Sequence, residues 1–292
     1  MIQVERVVEV RNHLGEGPIW NPAEQALYWL DIPSGTIFEW KPATRKMQSW
    51  TLGYPIGTIG LRAGGGLALA TKHGLGVWDA QTGFTTIANP IYAKPNMRFN
   101  DGKIDPGGRF WAGTMTDTGG KPEPGVLYRL DADASLHVIR TGCKVSNGLG
   151  WSLDKKTMYF TDTGFRTIYA YDYDDKTGHV ENPRPFTVVP ETPGEGGPDG
   201  MTVDSEGFLW SARWGGWKIV RYDPKGKIER TIEVPVERPS SVAFGGKDLD
   251  ELYISTAAQA ISDEDRKRQP WIGDVLVVRP GVKGQPEPLF AG

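Results

Sequence analysis

The chain has 292 residues, with 33 Lys and Arg against 36 Asp and Glu, and its formal net charge of −3 leaves no basic stripe for nucleic acid. Gly (38) and Pro (22) are abundant, Trp, Tyr and Phe number 11, 10 and 10, and no segment sustains a helical apolar period, which favours one large all-β domain over residues 1–292. The single cysteine, Cys143, excludes an internal disulfide and reads as a small buried residue.

In chain order, the first element is a strand at roughly Gln3 to Val10. Its charges at Glu5, Arg6 and Glu9 deprive MIQVERVVEV of a signal-peptide core, and no later run approaches a membrane span, so a cytoplasmic protein with no membrane partner is expected. Six repeats follow, starting at Gly17, Ile59, Gly102, Asn147, Asp199 and Ser240. Each opens with a short apolar strand that ends in a polar turn (NPAEQ, RAGGG, DPGGR, SLDKK, DSEG, GGKDLD). An aromatic-rich second strand comes next (ALYWLD, LALAT, FWAGTM, TMYFTD, FLWSAR, ELYIST), then a turn and a third strand (IFEW, GVWD, VLYRLD, IYAYDYD, IVRYD, VLVV). Looser outer strands such as MQSWTL and ERTIEV complete the unit.

Repeats of roughly 40 to 50 residues with short alternating strands predict antiparallel four-stranded sheets closed radially, because closure shields their edges. The prediction is a six-bladed β-propeller whose last blade is completed by the first strand. Closure leaves no long free edge, so a monomer is expected. The charged stretch from Ile261 to Gly273 interrupts the last repeat and reads as an exposed loop.

Four polar motifs recur at one phase of the repeat: LGEGP (Leu14–Pro18), RFNDGK (Arg98–Lys103), SNGLGWS (Ser146–Ser152) and PDGM (Pro198–Met201). They place Glu16, Asn100, Asn147 and Asp199 in the loops leading into innermost strands, where a closed repeat brings equivalent positions to one axis. Taken singly, each is an ordinary turn residue. Together, carboxylate and amide oxygens suit a hard divalent ion at the central channel. No histidine shares that phase; His13, His73, His137 and His179 fall in turns or outer strands. Arg98, two residues before Asn100, would face the same side of an extended stretch, either toward a polyhydroxylated or anionic ligand or paired with Asp101. Trp20, Tyr54, Trp214 and Trp217 are aromatic candidates for the pocket rim, or blade packing instead.

These motifs, with FGG before LDELYIST and PGVKGQPEP near the end, resemble the SMP-30/gluconolactonase/regucalcin-like family of lactone hydrolases over nearly the whole chain. The resemblance implies a propeller with one divalent metal on the axis, held by Glu16, Asn147 and Asp199 with Asn100 in or near the coordination shell. It implies that Arg98 and Asn100 hold the substrate and that Asp199 is the general base. It leaves Ca²⁺, Zn²⁺, Mn²⁺ and Fe²⁺ open as the ion. The expected reaction is hydrolysis of an aldonolactone such as glucono-, xylono- or arabinonolactone. The alternatives are a metal-dependent esterase or phosphotriesterase of the same fold, or a calcium-binding regulatory protein without turnover. Where animal relatives carry a glutamate soon after GTM, this chain has Thr118, taken as the substrate contact, with Asp117 beside it. The PSSVAFGG turn and the Ile261–Gly273 insertion also depart from the family pattern.

Overall fold

The computed structural model describes residues 3–117 and 119–292. It contains six four-stranded antiparallel sheets. In blades one to five the strands run outward in chain order from innermost strands at Gly15–Asn21, Ile56–Leu61, Met97–Ile104, Ser146–Trp151 and Gly197–Val203. Blade six starts on Pro239–Gly245, and its outermost strand is the chain's first, Val4–Val8. The innermost strands contact one another in a closed circuit, so the predicted six-bladed propeller and its ring closure are both found.

Burial grades outward. Every residue of Pro239–Gly245 is buried, whereas Lys46–Thr51, on the rim of blade one, is almost wholly exposed. The aromatic second strands fill the spaces between blades. Trp210 of blade five packs edge-on against Phe244 of blade six, and Trp20 of blade one stacks on Tyr253 of blade six. Trp111 and Trp210 bury their rings fully, and their indole N–H groups donate to Asp105 and Asp204 at 2.9 and 2.8 Å. Those aspartates stand in the DPGGRFW and DSEGFLW turns, so one buried carboxylate holds both the turn and the indole. Of the two readings of Trp20, the structure thus supports blade packing.

Ring closure pairs Val4 with Val278 and Arg6 with Leu276. Asp274, fully buried, accepts the backbone N–H groups of Val10 and Arg11 at 3.0 Å each and so pins the chain as it leaves the closing strand. The Ile261–Gly273 stretch differs from the exposed loop expected. It contains a short helix, Asp263–Arg268, with no buried residue, but its end returns to the body of the protein. Gln269 and Ile272 are buried, and the Gln269 carboxamide oxygen accepts the Glu237 N–H at 2.6 Å. At the opposite end of the axis, residues 279–292 cross the mouth of the ring. They bond to Leu249 of blade six, Ser205 of blade five, Leu61 of blade two and Gly108 of blade three. Under that strap Glu287 pairs with Lys103 at 2.8 Å. Among the described residues no helix is long and apolar enough to cross a membrane.

Candidate functional site

Each innermost strand carries one extra residue relative to its neighbour, near its start: between Glu16 and Ile19, Ile56 and Thr58, Phe99 and Gly102, Ser146 and Leu149, Pro198 and Met201, and Pro239 and Ser241. Six equivalent bulges turn the backbone at one mouth of the ring. Counting back four residues from the pairs Trp20–Leu27, Leu61–Leu67, Ile104–Phe110, Trp151–Met158, Val203–Leu209 and Phe244–Leu252 gives one position per blade. Those positions are Glu16, Gly57, Asn100, Asn147, Asp199 and Ser240. The four residues singled out from the sequence therefore do share a phase. They lie inside the innermost strands, at the bulges, and not in the loops before them.

The other two positions explain why the site is lopsided. A Cβ on Gly57 would stand 2.5 Å from the Phe99 carbonyl, so only glycine lets blades two and three approach this closely. Ser240 spends its hydroxyl on the Gly15 carbonyl at 2.5 Å, at the junction of blades six and one. The candidate side chains thus come from blades one, three, four and five.

Glu16, Arg98, Asn100, Asp101, Asn147 and Asp199 are all buried. Arg98 does not pair with Asp101. Its Nη1 donates to the Phe99 carbonyl at 3.0 Å and to Asn100 Oδ1 at 2.6 Å, and its Nε lies 3.5 Å from Asp117 Oδ1. Its Nη2 makes no hydrogen bond among the described residues. Asn100 in turn donates from Nδ2 to the Ser146 carbonyl at 2.8 Å and to Asn147 Oδ1 at 3.0 Å. With its oxygen turned to Arg98, Asn100 braces Asn147. Glu16 Oε2 accepts the Gly17 N–H at 3.0 Å. Asp199 Oδ1 is buried without a hydrogen-bond partner among the described residues.

Asp101, named from the sequence only as a possible partner of Arg98, belongs to the cluster itself. It followed Asn100 and so, in a regular strand, would face the other way; the bulge brings both inward. Its carboxylate accepts the Gly102 N–H at 2.7 Å and adds a third negative group to the axis. Burial, and then Asp101, push the Glu16 carboxyl up to about 8. Burial likewise raises Asp101 to about 6, and burial with Glu16 and Asp101 holds Asp199 well above the usual carboxylate range. Arg98 is the cation that opposes Glu16 and Asp199.

An all-oxygen set of buried, mutually repelling carboxylates with one orphaned oxygen fits a hard divalent cation. Among the described residues no three His, Cys, Asp or Glu side chains stand in metal-ligand geometry, so an ion held by Glu16 and Asp199 would need the Asn147 carboxamide as well. Thr118 lies outside the described residues. Trp214 packs with Leu14, Ile32 and Ala257 at this mouth, Tyr54 lies edge-on to His73 at 4.4 Å, and Trp217 is exposed. A groove of about 620 Å³ between blades one and two, lined by Glu24, Tyr28, Trp50 and Trp78, contains none of the site residues.

The model of the SMP-30/Gluconolactonase/LRE-like region matches residues 14–258, a span that includes every candidate residue. The chain belongs to the SMP-30/gluconolactonase/LRE-like family. Among its relatives is a pentonolactonase of Haloferax volcanii, 43% identical over 87% of this chain and 85% of that protein. A regucalcin of Xenopus laevis is 39% identical over 100% of this chain and 99% of its own length. A crystal structure of a calcium-binding protein, regucalcin, from Agrobacterium tumefaciens superposes with a TM-score of 0.93 at 27% identity, covering 99% of this chain and 97% of that one. Members of the SMP-30/gluconolactonase/LRE-like family that are named for lactone hydrolysis and for calcium binding thus both resemble this chain, and the family supports sugar-lactone hydrolysis as its general chemistry.

Proposed function

We propose that this member of the family hydrolyses an aldonolactone to the aldonic acid with the help of a divalent cation. The observation that carries the reading is the meeting of Glu16, Asn147 and Asp199 at one mouth of the axis, with Asp199 Oδ1 lacking a hydrogen-bond partner among the described residues and Arg98 close enough to interact with both carboxylates. Glu16, Asn147 and Asp199 would hold the ion. When bound, it polarises the lactone carbonyl and stabilises negative charge on its oxygen.

The chain's own groups do the rest. Arg98 donates to a ring hydroxyl or the ring oxygen, held in place by Phe99 O, Asn100 and Asp117. Asp199 orients a water and receives its proton as the water oxygen bonds to the carbonyl carbon. The ring C–O bond then breaks, and the proton passes to the leaving oxygen, which becomes a hydroxyl. A carboxylate beside a cation is a weak base, so Asp199 contributes more by orientation than by basicity. Lactones hydrolyse readily unaided, and a shallow, partly open site suffices.

The test is proton release, followed at constant pH, by metal-stripped protein re-supplied with Ca²⁺, Mn²⁺, Zn²⁺ or Fe²⁺. Substrates are glucono-, galactono-, xylono- and arabinonolactone, with aryl esters and phosphotriesters alongside. Metal-restored turnover of one lactone supports the reading. Turnover only of the esters moves the function to the esterase alternative. The regucalcin relatives favour a second reading, a calcium-binding protein without turnover. Tight Ca²⁺ binding with no turnover of any substrate would establish it.

A further inference from the structure

Asn147 and Asp199 stand on neighbouring blades, and a single hydroxyl touches both strands. Thr163 opens the short turn Thr163–Phe165 between the second and third strands of blade four. Its Oγ1 donates to the carbonyl oxygen of Pro198, the residue before Asp199, at 2.7 Å. The same oxygen accepts a hydrogen bond from Asn147 Nδ2 at 2.8 Å. A hydroxyl has one proton, and here it is committed to Pro198; what Thr163 offers Asn147 is a lone pair. Only the NH₂ end of a carboxamide can meet a lone pair. Asn147 Oδ1 is therefore turned away from Thr163, toward Asn100 Nδ2 and the axis.

We propose that Thr163 is a positioning residue for the candidate metal centre, setting which end of the Asn147 amide faces the ion and tying that amide to the strand of Asp199. The inference rests on the reading of Glu16, Asn147 and Asp199 as ligands.

The surrounding sequence fixes Thr163 from three directions. The buried Asp162 carboxylate accepts the N–H groups of Lys144, Val145 and Gly164 at 3.0, 3.0 and 3.2 Å. One side chain thus clamps both the approach to Asn147 and the turn that presents Thr163. The Thr163 N–H itself donates to the Val145 carbonyl at 3.0 Å. Third, a Cβ on Gly197 would lie 2.9 Å from Thr163 Cγ2, so glycine there leaves the seat for the methyl. With the methyl seated, χ1 is set and the hydroxyl must point at Asn147 and Pro198.

The position is also particular to blade four. Five residues beyond Leu27, Leu67, Phe110, Met158, Leu209 and Leu252, the six blades carry Ile32, Lys72, Met115, Thr163, Trp214 and Ala257. Only one of them is a hydroxyl, and it stands in the same blade as Asn147, the axial amide read as a ligand; the other axial amide, Asn100, already turns its oxygen to Arg98 and its nitrogen to Asn147.

The test is calorimetric titration of the full chain with Ca²⁺ and Mn²⁺. Thr163→Val keeps the methyl seat and removes the hydroxyl; it is expected to weaken binding about 10- to 100-fold, as loss of a partner behind a metal ligand does. Thr163→Ala, the second variant without the hydroxyl, should weaken it similarly, and Thr163→Ser should stay within about threefold of wild type on the same scale. In an Asn147→Asp background Thr163→Val should cost under about threefold, because a carboxylate presents oxygen whichever way it turns. Melting in EDTA checks that each variant is folded. Folded Thr163→Val or Thr163→Ala protein with wild-type affinity overturns the role of Thr163 alone. An equal loss in both backgrounds overturns it too, since a general structural role would produce that. Wild-type protein that binds neither of these ions, nor Zn²⁺ or Fe²⁺ titrated in the same way, overturns this inference and the metal-dependent reading together.

Discussion

Arg98→Met isolates the electrostatics of the site. In the metal-free protein Arg98 is the buried cation set against Glu16, Asp199 and Asp117. Methionine fills a similar volume but leaves Asn100 Oδ1 without its donor and the carboxylates without their counter-charge. Removing one partner of a buried ionic group costs about 3–5 kcal/mol. At roughly 2–3 °C per kcal/mol for a chain of this size, melting in EDTA should fall by about 6–15 °C. Removing a positive neighbour should also strengthen cation binding, so saturating Ca²⁺ should raise the melting temperature of the variant more than that of wild type. Turnover should nevertheless drop about 100-fold or more, because the donor proposed to hold the substrate is gone. Differential scanning calorimetry with and without Ca²⁺, beside the lactone assay, reads all three. An Arg98→Met protein that melts with wild type in EDTA and gains no more from Ca²⁺ would refute the picture of Arg98 as the counter-ion of this cluster.

The raised carboxyls carry a pH signature. Glu16 moves from its ordinary 4.5 to about 8, so its stabilising contribution to the metal-free protein is complete below about 4.5 and is lost as pH rises through 8. Melting in EDTA should therefore fall between pH 6 and 8.5, while cation affinity rises over the same interval and binding releases protons, detectable by titration in buffers of different ionisation enthalpy. At the blade junction, Gly57→Ala puts a methyl 2.5 Å from the Phe99 carbonyl, which is backbone and cannot swing aside. A loss of about 1–3 kcal/mol in urea unfolding is expected, with weaker cation binding because Asn100 is displaced with its strand.

Much of the architecture was legible because aromatic second strands and Asp- or Gly-bearing turns recur with a blade's period. Trp111 and Trp210, each six residues after the aspartate that accepts its indole N–H, show why: the turn and the core residue are one unit, repeated. Glu16, Asn100, Asn147 and Asp199 were legible for the same reason, as one phase of that repeat. Asp101 was not, because an alternating strand sends neighbours to opposite faces and the bulge that defeats the alternation has no residue signature of its own. Trp20, near a loop, was open between the pocket rim and blade packing. The structure buries it against Tyr253 of blade six, which no local spacing could indicate. Arg98 was open between Asp101 and a ligand; its ion-pair partner is Asp117, from the turn after the second strand, which no local spacing could indicate.

The ring is closed by its two most distant strands, and this gives the protein a timetable. Val4–Val8 leaves the ribosome before every other strand of the propeller and waits for Val275–Val278. At about 5–20 residues per second that wait is on the order of 15–50 s. For all of it, the edge of blade six that the strand will cover does not exist, and the strand itself is a free edge in a crowded cell. Its sequence, VERVV, is suited to that interval, with Glu5 and Arg6 both exposed along the strand and discouraging pairing with other chains. Glu16 is made early and Asp199 late, so the axial site is among the last features of the molecule to be assembled. A nascent chain should bind no cation there until the circle is complete.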